Sequence, residues 1–355
     1  MLVTLEEIRA AQGRLAGVAV RTGLHRVPVV RLSAAGVAEL PFELYVKAES
    51  EQSIGSFKLR GAYNRIAQMT AEELGRGVIT YSSGNHAQGV AYAARALGAK
   101  AVIVMPGNAP AVKIDATRAL GAEVVLVGPS SSERMAKAVE LAAVHGYTVV
   151  PPYDDPAIIA GQGTCGLEIL EQLGAIDDAS DEVVIVSPVS GGGLLAGVST
   201  AVKLACADLR AKSAAGGACG VKVWGAEPEL AADAKESFET KTLVEWPAAM
   251  TTRTISDGLR TQSLGRLNFE HIVRFVDGIC AVSEDEILTA MRAMLAATGL
   301  VAEPSGAVTL AAALFHHAEM PRCGRMVVIL SGGNVDPELR NNIGQIGLWR
   351  QYNSR

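Results

Sequence analysis

Lys58 stands in the run Glu49-Ser50-Glu51-Gln52-Ser53-Ile54-Gly55-Ser56-Phe57-Lys58-Leu59-Arg60-Gly61-Ala62, directly behind a Gly-Ser-Phe turn. An amine whose pKa is lowered by its surroundings condenses with carbonyls, so a lysine held in such a turn can bond covalently to an aldehyde cofactor. The plain alternative is a solvated lysine opening a helix. Four further constellations lie downstream. Ser190-Gly191-Gly192-Gly193-Leu194 follows an apolar run and opens a helical one. Successive glycines let backbone N–H groups converge at a helix start, which suits a phosphate; a tight strand–helix turn reads the same way. Neither G-x-G-x-x-G nor the Lys-Ser/Thr of a P-loop is present there, which argues against dinucleotide and nucleoside triphosphate.

Ser82-Ser83-Gly84-Asn85-His86 occupies a second strand–helix junction, where hydroxyls and amides can grip a small carboxylate or simply cap the helix. Ser331-Gly332-Gly333-Asn334 follows a third apolar run, and a hydroxyl at the end of a strand can meet a ring nitrogen. Glu227-Pro228-Glu229-Leu230-Ala231-Ala232-Asp233 offers carboxylates and a carbonyl for a hard cation such as Mg²⁺ or Ca²⁺, or else a solvated acidic loop. The histidines have no zinc-site spacing.

These loops need a scaffold, and the pattern supplies one. From Gly77 onward, β-branched runs at 78–80, 101–105 and 124–127 alternate with helical runs at 87–97, 112–120 and 133–144. Further runs at 183–186, 221–224 and 327–330 flank a helical stretch at 194–209. Continuous apolar strands separated by helices predict an α/β fold with two open, mostly parallel twisted sheets covered on both faces. The predicted organisation is a small unit over 71–149 inserted between two parts of a larger one, 1–70 and 150–355, with Pro151-Pro152 marking the return. Nothing after Val335 is long enough for a separate regulatory domain.

Composition narrows the partners. The chain has 355 residues, 49% hydrophobic and 19% charged, with a net charge of −5, enough for a large core and against global disorder. No basic cluster resembles a phosphate-backbone footprint, and no apolar run approaches the roughly 20 residues of a membrane helix, so neither nucleic acid nor membrane is expected. The N-terminus lacks signal-peptide regions, and five scattered cysteines without a C-x-x-C pair read as reduced thiols of a cytoplasmic protein.

A reactive lysine, a phosphate cradle, a carboxylate grip and a hydroxyl for a ring nitrogen together fit one cofactor, pyridoxal 5′-phosphate. On the Lys58 run, Ser82–Gly89, Ser190–Gly197 and Ser331–Asn334, with Ala160-Gly161-Gln162-Gly163-Thr164 and Thr254-Ile255-Ser256-Asp257-Gly258, the chain resembles the threonine dehydratase/serine racemase family. These are pyridoxal-phosphate enzymes of the tryptophan synthase β-like fold type II. The resemblance implies Lys58 as the lysine joined to the cofactor, Phe57 against its ring, and Asn85 at its phenolic oxygen. It implies Ser190, Gly191, Gly192, Gly193 and Leu194 at the phosphate, and Ser331 at the ring nitrogen. Ser82, Ser83, Gly84, Asn85 and His86 would hold the substrate carboxylate, and Glu227, the Ala231 carbonyl and Asp233 a structural Mg²⁺ or Ca²⁺.

The activity so implied is deamination of a small β-hydroxy-α-amino acid, first L-threonine or L-serine, in a homodimer or homotetramer. Three rivals stay open. One is serine racemase, for which Ser83 would be the second acid/base opposite Lys58. Another is a dehydratase for a bulkier substrate such as 3-hydroxyaspartate, with Arg260 at its second carboxylate if that arginine does not face solvent. The last is a non-catalytic amino-acid sensor.

Overall fold

The structure, a computed structural model, describes residues 1–28, 32, 39–82, 84–107, 109, 111–128, 131–174, 182–212, 220–341 and 343. Two sheets organise it. The larger has six strands in the order β1-β2-β10-β7-β8-β9. In chain order these are β1 (Leu24–Arg26), β2 (Glu43–Ala48), β7 (Val183–Pro188), β8 (Val221–Pro228), β9 (Gly278–Val282) and β10 (Arg325–Leu330). Only β1 runs antiparallel to its neighbour; the other pairs are parallel. The smaller sheet has four parallel strands in the order β5-β4-β3-β6. They are β3 (Val78–Tyr81), β4 (Ala101–Pro106), β5 (Glu123–Val127) and β6 (Thr148–Val149).

The strands are continuously apolar because both faces of each sheet are covered. Along β7, Val184 and Val186 pack into one core cluster while Val183 and Ile185 pack into another on the opposite face. The smaller sheet repeats this with Val78 and Ile103 on one side and Ile79, Val102 and Val104 on the other. Strand pleating sends neighbouring side chains to opposite faces, so two-sided burial demands an unbroken apolar run.

The Lys58–Ile66 helix is the link between the sheets. Its Ala62 and Ile66, with Ile158 of the Pro156–Leu173 helix, belong to the core of the smaller sheet. Its Arg60 is tied instead to the larger unit through a buried ionic network. Arg60 Nε donates to Glu49 Oε2 at 2.7 Å and Arg60 Nη1 to Glu168 Oε1 at 2.7 Å. Lys47 Nζ on β2 donates to Glu168 Oε2 at 2.6 Å. Burial pushes the Glu49 carboxyl up, but the charge and hydrogen bonds of Arg60 outweigh it and hold the group below its ordinary value. Lys58 is therefore seated between a helix-covered sheet and a fixed ionic anchor.

One expectation is corrected. Cys165, Cys280 and Cys323 are free, but Cys206 is disulfide-bonded, so the five cysteines are not all reduced thiols. Spacing along the chain misses this because the pairing depends on which sulfurs meet in space. Among the described residues no helix is long and apolar enough to cross a membrane.

Candidate active site

Every predicted loop emerges at the C-terminal end of a parallel strand, the edge where ligands gather in open α/β sheets. Ser82 follows β3, Ser190 comes soon after β7, Ser331 follows β10, and Glu227 lies within the end of β8. Long-range backbone pairing then draws the loops together. Phe57 N–H donates to the Ser331 carbonyl at 3.0 Å and Gly333 N–H to the Gly55 carbonyl at 3.0 Å, flanking a β-bridge between Ser56 and Gly332. Gly55 has φ +72°, a left-handed turn that places Lys58 at the first position of its helix.

The Lys58 side chain is half-buried, and its Nζ donates to the Pro152 carbonyl at 2.7 Å. Burial, with no acid to offset it, lowers its pKa from 10.5 to about 8. Roughly a tenth of this lysine is thus free amine at pH 7, far more than of an ordinary surface lysine. Its Nζ lies 5.2 Å from the centre of the Phe57 ring.

Tyr153, the neighbour of Pro152, closes the far side. Its ring lies where a side chain on Gly191 would be: a Cβ there would come 2.5 Å from Tyr153 Cδ1. Burial above all raises the Tyr153 hydroxyl to about 12, keeping it neutral. Residues 152 and 153 thereby bring Lys58 and the glycine loop to one place. In that loop Ser190 and Gly192 take φ of 56° and 92°. Ser190 Oγ lies 3.1 Å from Thr261 Oγ1. The Gly191 carbonyl accepts from Asn268 Nδ2 at 2.7 Å. Leu194 is buried in the core, so its backbone alone is available to a ligand.

In the Ser82 loop, Gly84 N–H donates to Ser82 Oγ at 3.3 Å and Gly84 caps the Asn85–Ala96 helix. Ser83 lies outside the described residues. His86 is buried with Nε2 3.1 Å from the Val150 carbonyl. Burial, and then the nearby Lys58 charge, lower its pKa to about 3, so the ring is neutral. Asn85 Nδ2 donates to Glu303 Oε1 at 2.6 Å, and Asn85 Oδ1 accepts from Asn334 Nδ2 at 2.7 Å. Ser331 is buried, its Oγ 3.5 Å from the Ser305 carbonyl.

Glu227 and Asp233 are both 1% exposed. Burial and then the Asp233 charge push Glu227 well above the ordinary carboxylate range, although Lys235 N–H donates to it at 2.7 Å. Burial raises Asp233 to about 7, and its Oδ2 has no hydrogen-bond partner. Two neighbouring buried carboxyl groups, one with an orphaned oxygen, fit a divalent cation, which would complete them as solvent cannot. Ala231, in the adjoining turn, is buried beside them. Arg260 is exposed, and its Nε and Nη2 both donate to the Thr254 carbonyl, at 2.9 and 2.5 Å. Tyr153, Glu303 and Asn268 escape the sequence reading, and Asn334 stands there only as the end of the Ser331 motif, with no role given to it. Only Glu303, placed before a helix-opening Pro304, carries a local hint.

A low-pKa lysine without an acid partner, facing a glycine turn at a helix start, fits an aldehyde bearing a phosphate. The chain matches the family described as "Pyridoxal-phosphate dependent enzyme" over residues 20–332, and it belongs to that family. The family implies pyridoxal phosphate as cofactor. The chain is 39% identical to an L-threo-3-hydroxyaspartate ammonia-lyase of Saccharomyces cerevisiae, over 83% of each chain. It is also 39% identical to an L-threonine ammonia-lyase of Thermotoga maritima, over 98% of this chain and 79% of that one. Maize serine racemase shares its fold with a TM-score of 0.84 and 32% identity, covering 99% of this chain and 100% of that one.

Proposed function

We propose that the chain is a pyridoxal-phosphate-dependent ammonia-lyase that dehydrates a small β-hydroxy-α-amino acid, L-threonine or L-serine, to a 2-oxo acid and ammonia. The observation that carries this reading is the half-buried Lys58 amine, lowered to about 8 and held by the Pro152 carbonyl. When bound, the cofactor supplies a ring that withdraws electrons from the substrate's α-carbon. Lys58 would hold the cofactor, and its amine, when free, would take the proton from Cα. Loss of that proton and of the β-hydroxyl removes water overall. The unsaturated amine that results hydrolyses to the 2-oxo acid and ammonia, so no oxidant is consumed.

Backbone N–H groups of Ser190, Gly191, Gly193 and Leu194 would hold the phosphate, the Gly192 N–H being taken by the Val189 carbonyl at 3.1 Å so that Gly192 serves the turn; Phe57 would pack on the ring, and Asn85 would meet its oxygen. Ser82, Ser83, Gly84, Asn85 and His86 receive the substrate carboxylate as neutral donors. Ser331 serves the ring nitrogen. A hydroxyl, unlike a carboxylate, does not keep that nitrogen protonated, which favours elimination over transamination. Glu227, Asp233 and the Ala231 carbonyl hold a Mg²⁺ or Ca²⁺ that supports the larger sheet without joining the chemistry. The smaller unit is taken as 71–149.

A second reading, an acidic hydroxy amino acid as substrate, is favoured by the yeast relative's activity. The Arg260 guanidinium is already engaged by Thr254, which argues against it as the group for a second carboxylate. A panel of L-threonine, L-serine and L-threo-3-hydroxyaspartate, assayed for 2-oxo acid and ammonia in equal amounts, tests the proposal. Turnover of L-threonine or L-serine is expected to lead. Preference for the hydroxyaspartate moves the assignment to the second reading, and no 2-oxo acid from any of the three overturns it.

A further inference from the structure

The geometry points to Glu303 as a positioning residue that fixes how the Asn85 amide is presented to the cofactor. The inference rests on the reading that Asn85 meets the cofactor ring.

Glu303 is 4% exposed and immediately precedes the Pro304–Phe315 helix. Its backbone is anchored on both sides: its N–H donates to the Gly332 carbonyl at 3.1 Å, and its carbonyl accepts from Gly306 at 2.9 Å. From this fixed base Oε1 reaches Asn85 Nδ2 at 2.6 Å. The approach depends on Gly332. A Cβ at that position would lie 2.2 Å from Glu303 Oε1 and 3.1 Å from Asn85 Nδ2, so any side chain there would block the contact.

The other end of the amide is held as firmly. Asn334 Nδ2 donates both to the Ile54 carbonyl, at 2.9 Å, and to Asn85 Oδ1, at 2.7 Å. A backbone carbonyl can only accept, which fixes the orientation of Asn334 and, through it, that of Asn85. The carboxylate then receives the nitrogen end of Asn85. One Nδ2 hydrogen is spent on Glu303, and the second has no partner among the described residues. Without Glu303 the amide would keep only its Asn334 contact and could swing about it, so the free Nδ2 hydrogen would no longer be aimed in one direction. Burial and the Asp257 charge raise the Glu303 carboxyl to about 7, opposed by Asn85 and Lys113, so the hydrogen bond to Asn85 is also what favours its charged form.

The test titrates apoprotein with pyridoxal phosphate by absorbance, in wild type, Glu303→Leu, Glu303→Gln, Glu303→Asp, Asn85→Ala and Asn85→Ala/Glu303→Leu. Loss of the anchoring hydrogen bond should weaken cofactor binding about tenfold in Glu303→Leu. Glu303→Gln keeps an acceptor at the same reach and should stay within about threefold of wild type. Glu303→Asp keeps the charge but shortens the reach, and should fall with Leu. In the Asn85→Ala background, Glu303→Leu should add no further loss, because it acts through Asn85. An additive loss in the double variant, or binding retained by Asp and lost by Gln, overturns the inference. Should Glu303→Leu fail to fold by circular dichroism, the Gln and Asp pair decides. Wild-type apoprotein that binds no pyridoxal phosphate refutes the cofactor reading itself, and this inference with it.

Discussion

Removing divalent cations should make the protein's stability fall as pH rises, in a window set by Asp233. Its carboxyl moves from an ordinary 3.8 to about 7 in the fold, because burial penalises the charged form. A folded-state value above the unfolded one means that stability is full below the unfolded value and is lost as pH rises through the folded one. The loss therefore runs from about pH 4 to pH 7. A displacement of that size corresponds to at most about 4 kcal/mol once the fold must carry the ionised group. Glu227 is displaced in the same direction by burial and by Asp233, so the pair titrates together and steepens the fall.

About 2.6 kcal/mol of that loss falls between pH 5 and pH 8, and for a chain of this length each kcal/mol moves the melting temperature by roughly 1.3 °C, so Asp233 alone predicts a drop of about 3–4 °C in chelator. A bound cation pays for both charges, so saturating Mg²⁺ or Ca²⁺ should flatten the profile and raise the melting temperature much more at pH 8 than at pH 5. Asp233→Asn should reduce both the slope and the cation response. Differential scanning fluorimetry at four pH values, with chelator or cation, reads all of this. A flat profile in chelator, or a cation effect equal at pH 5 and pH 8, would refute the reasoning.

Gly191→Ala should displace Tyr153, whose ring would lie 2.5 Å from the new Cβ, costing about 1–3 kcal/mol by denaturant titration and weakening cofactor binding at least tenfold. Gly13→Ala, with open space at its Cβ position in the Leu5–Leu15 helix, is the contrast and should stabilise by about 0.5–1 kcal/mol. Arg60→Met leaves Glu49 charged, buried and without its main partner, and should lower the unfolding free energy by about 3–5 kcal/mol in urea. The rate of cofactor reloading into apoprotein should rise with pH through a midpoint near 8, where Lys58 loses its proton; stopped-flow absorbance checks it.

What was legible in the sequence was whatever is encoded locally. The strands at 183–186 and 101–105 are visible because two-sided burial leaves an unbroken apolar run, and the candidate loops at Ser82, Ser190 and Ser331 because glycines and hydroxyls cluster at strand ends. The edge strand β1 was missed, since its residues are half-buried or exposed and show no apolar signature. β9 was missed because Gly278 and Cys280 interrupt its β-branched pattern. Within the site, Lys58 could be singled out from its own turn. The contact of Glu303 with Asn85 joins positions 218 residues apart and follows only from how the helices pack. Tyr153 escaped for the same reason: its partner Gly191 belongs to another loop, and nothing in the Pro152–Pro156 segment specifies that meeting.

The central claim is that Lys58 is the residue joined to the cofactor. Borohydride reduction of the loaded enzyme, followed by protease digestion and mass mapping, tests it most directly. The account predicts a pyridoxyl adduct on the peptide that contains Lys58, and no stable adduct in Lys58→Ala, whose turnover should fall by at least about 10⁴-fold through loss of both nucleophile and base. An adduct on a different lysine, or a Lys58→Ala protein that keeps its adduct and its turnover, would contradict it.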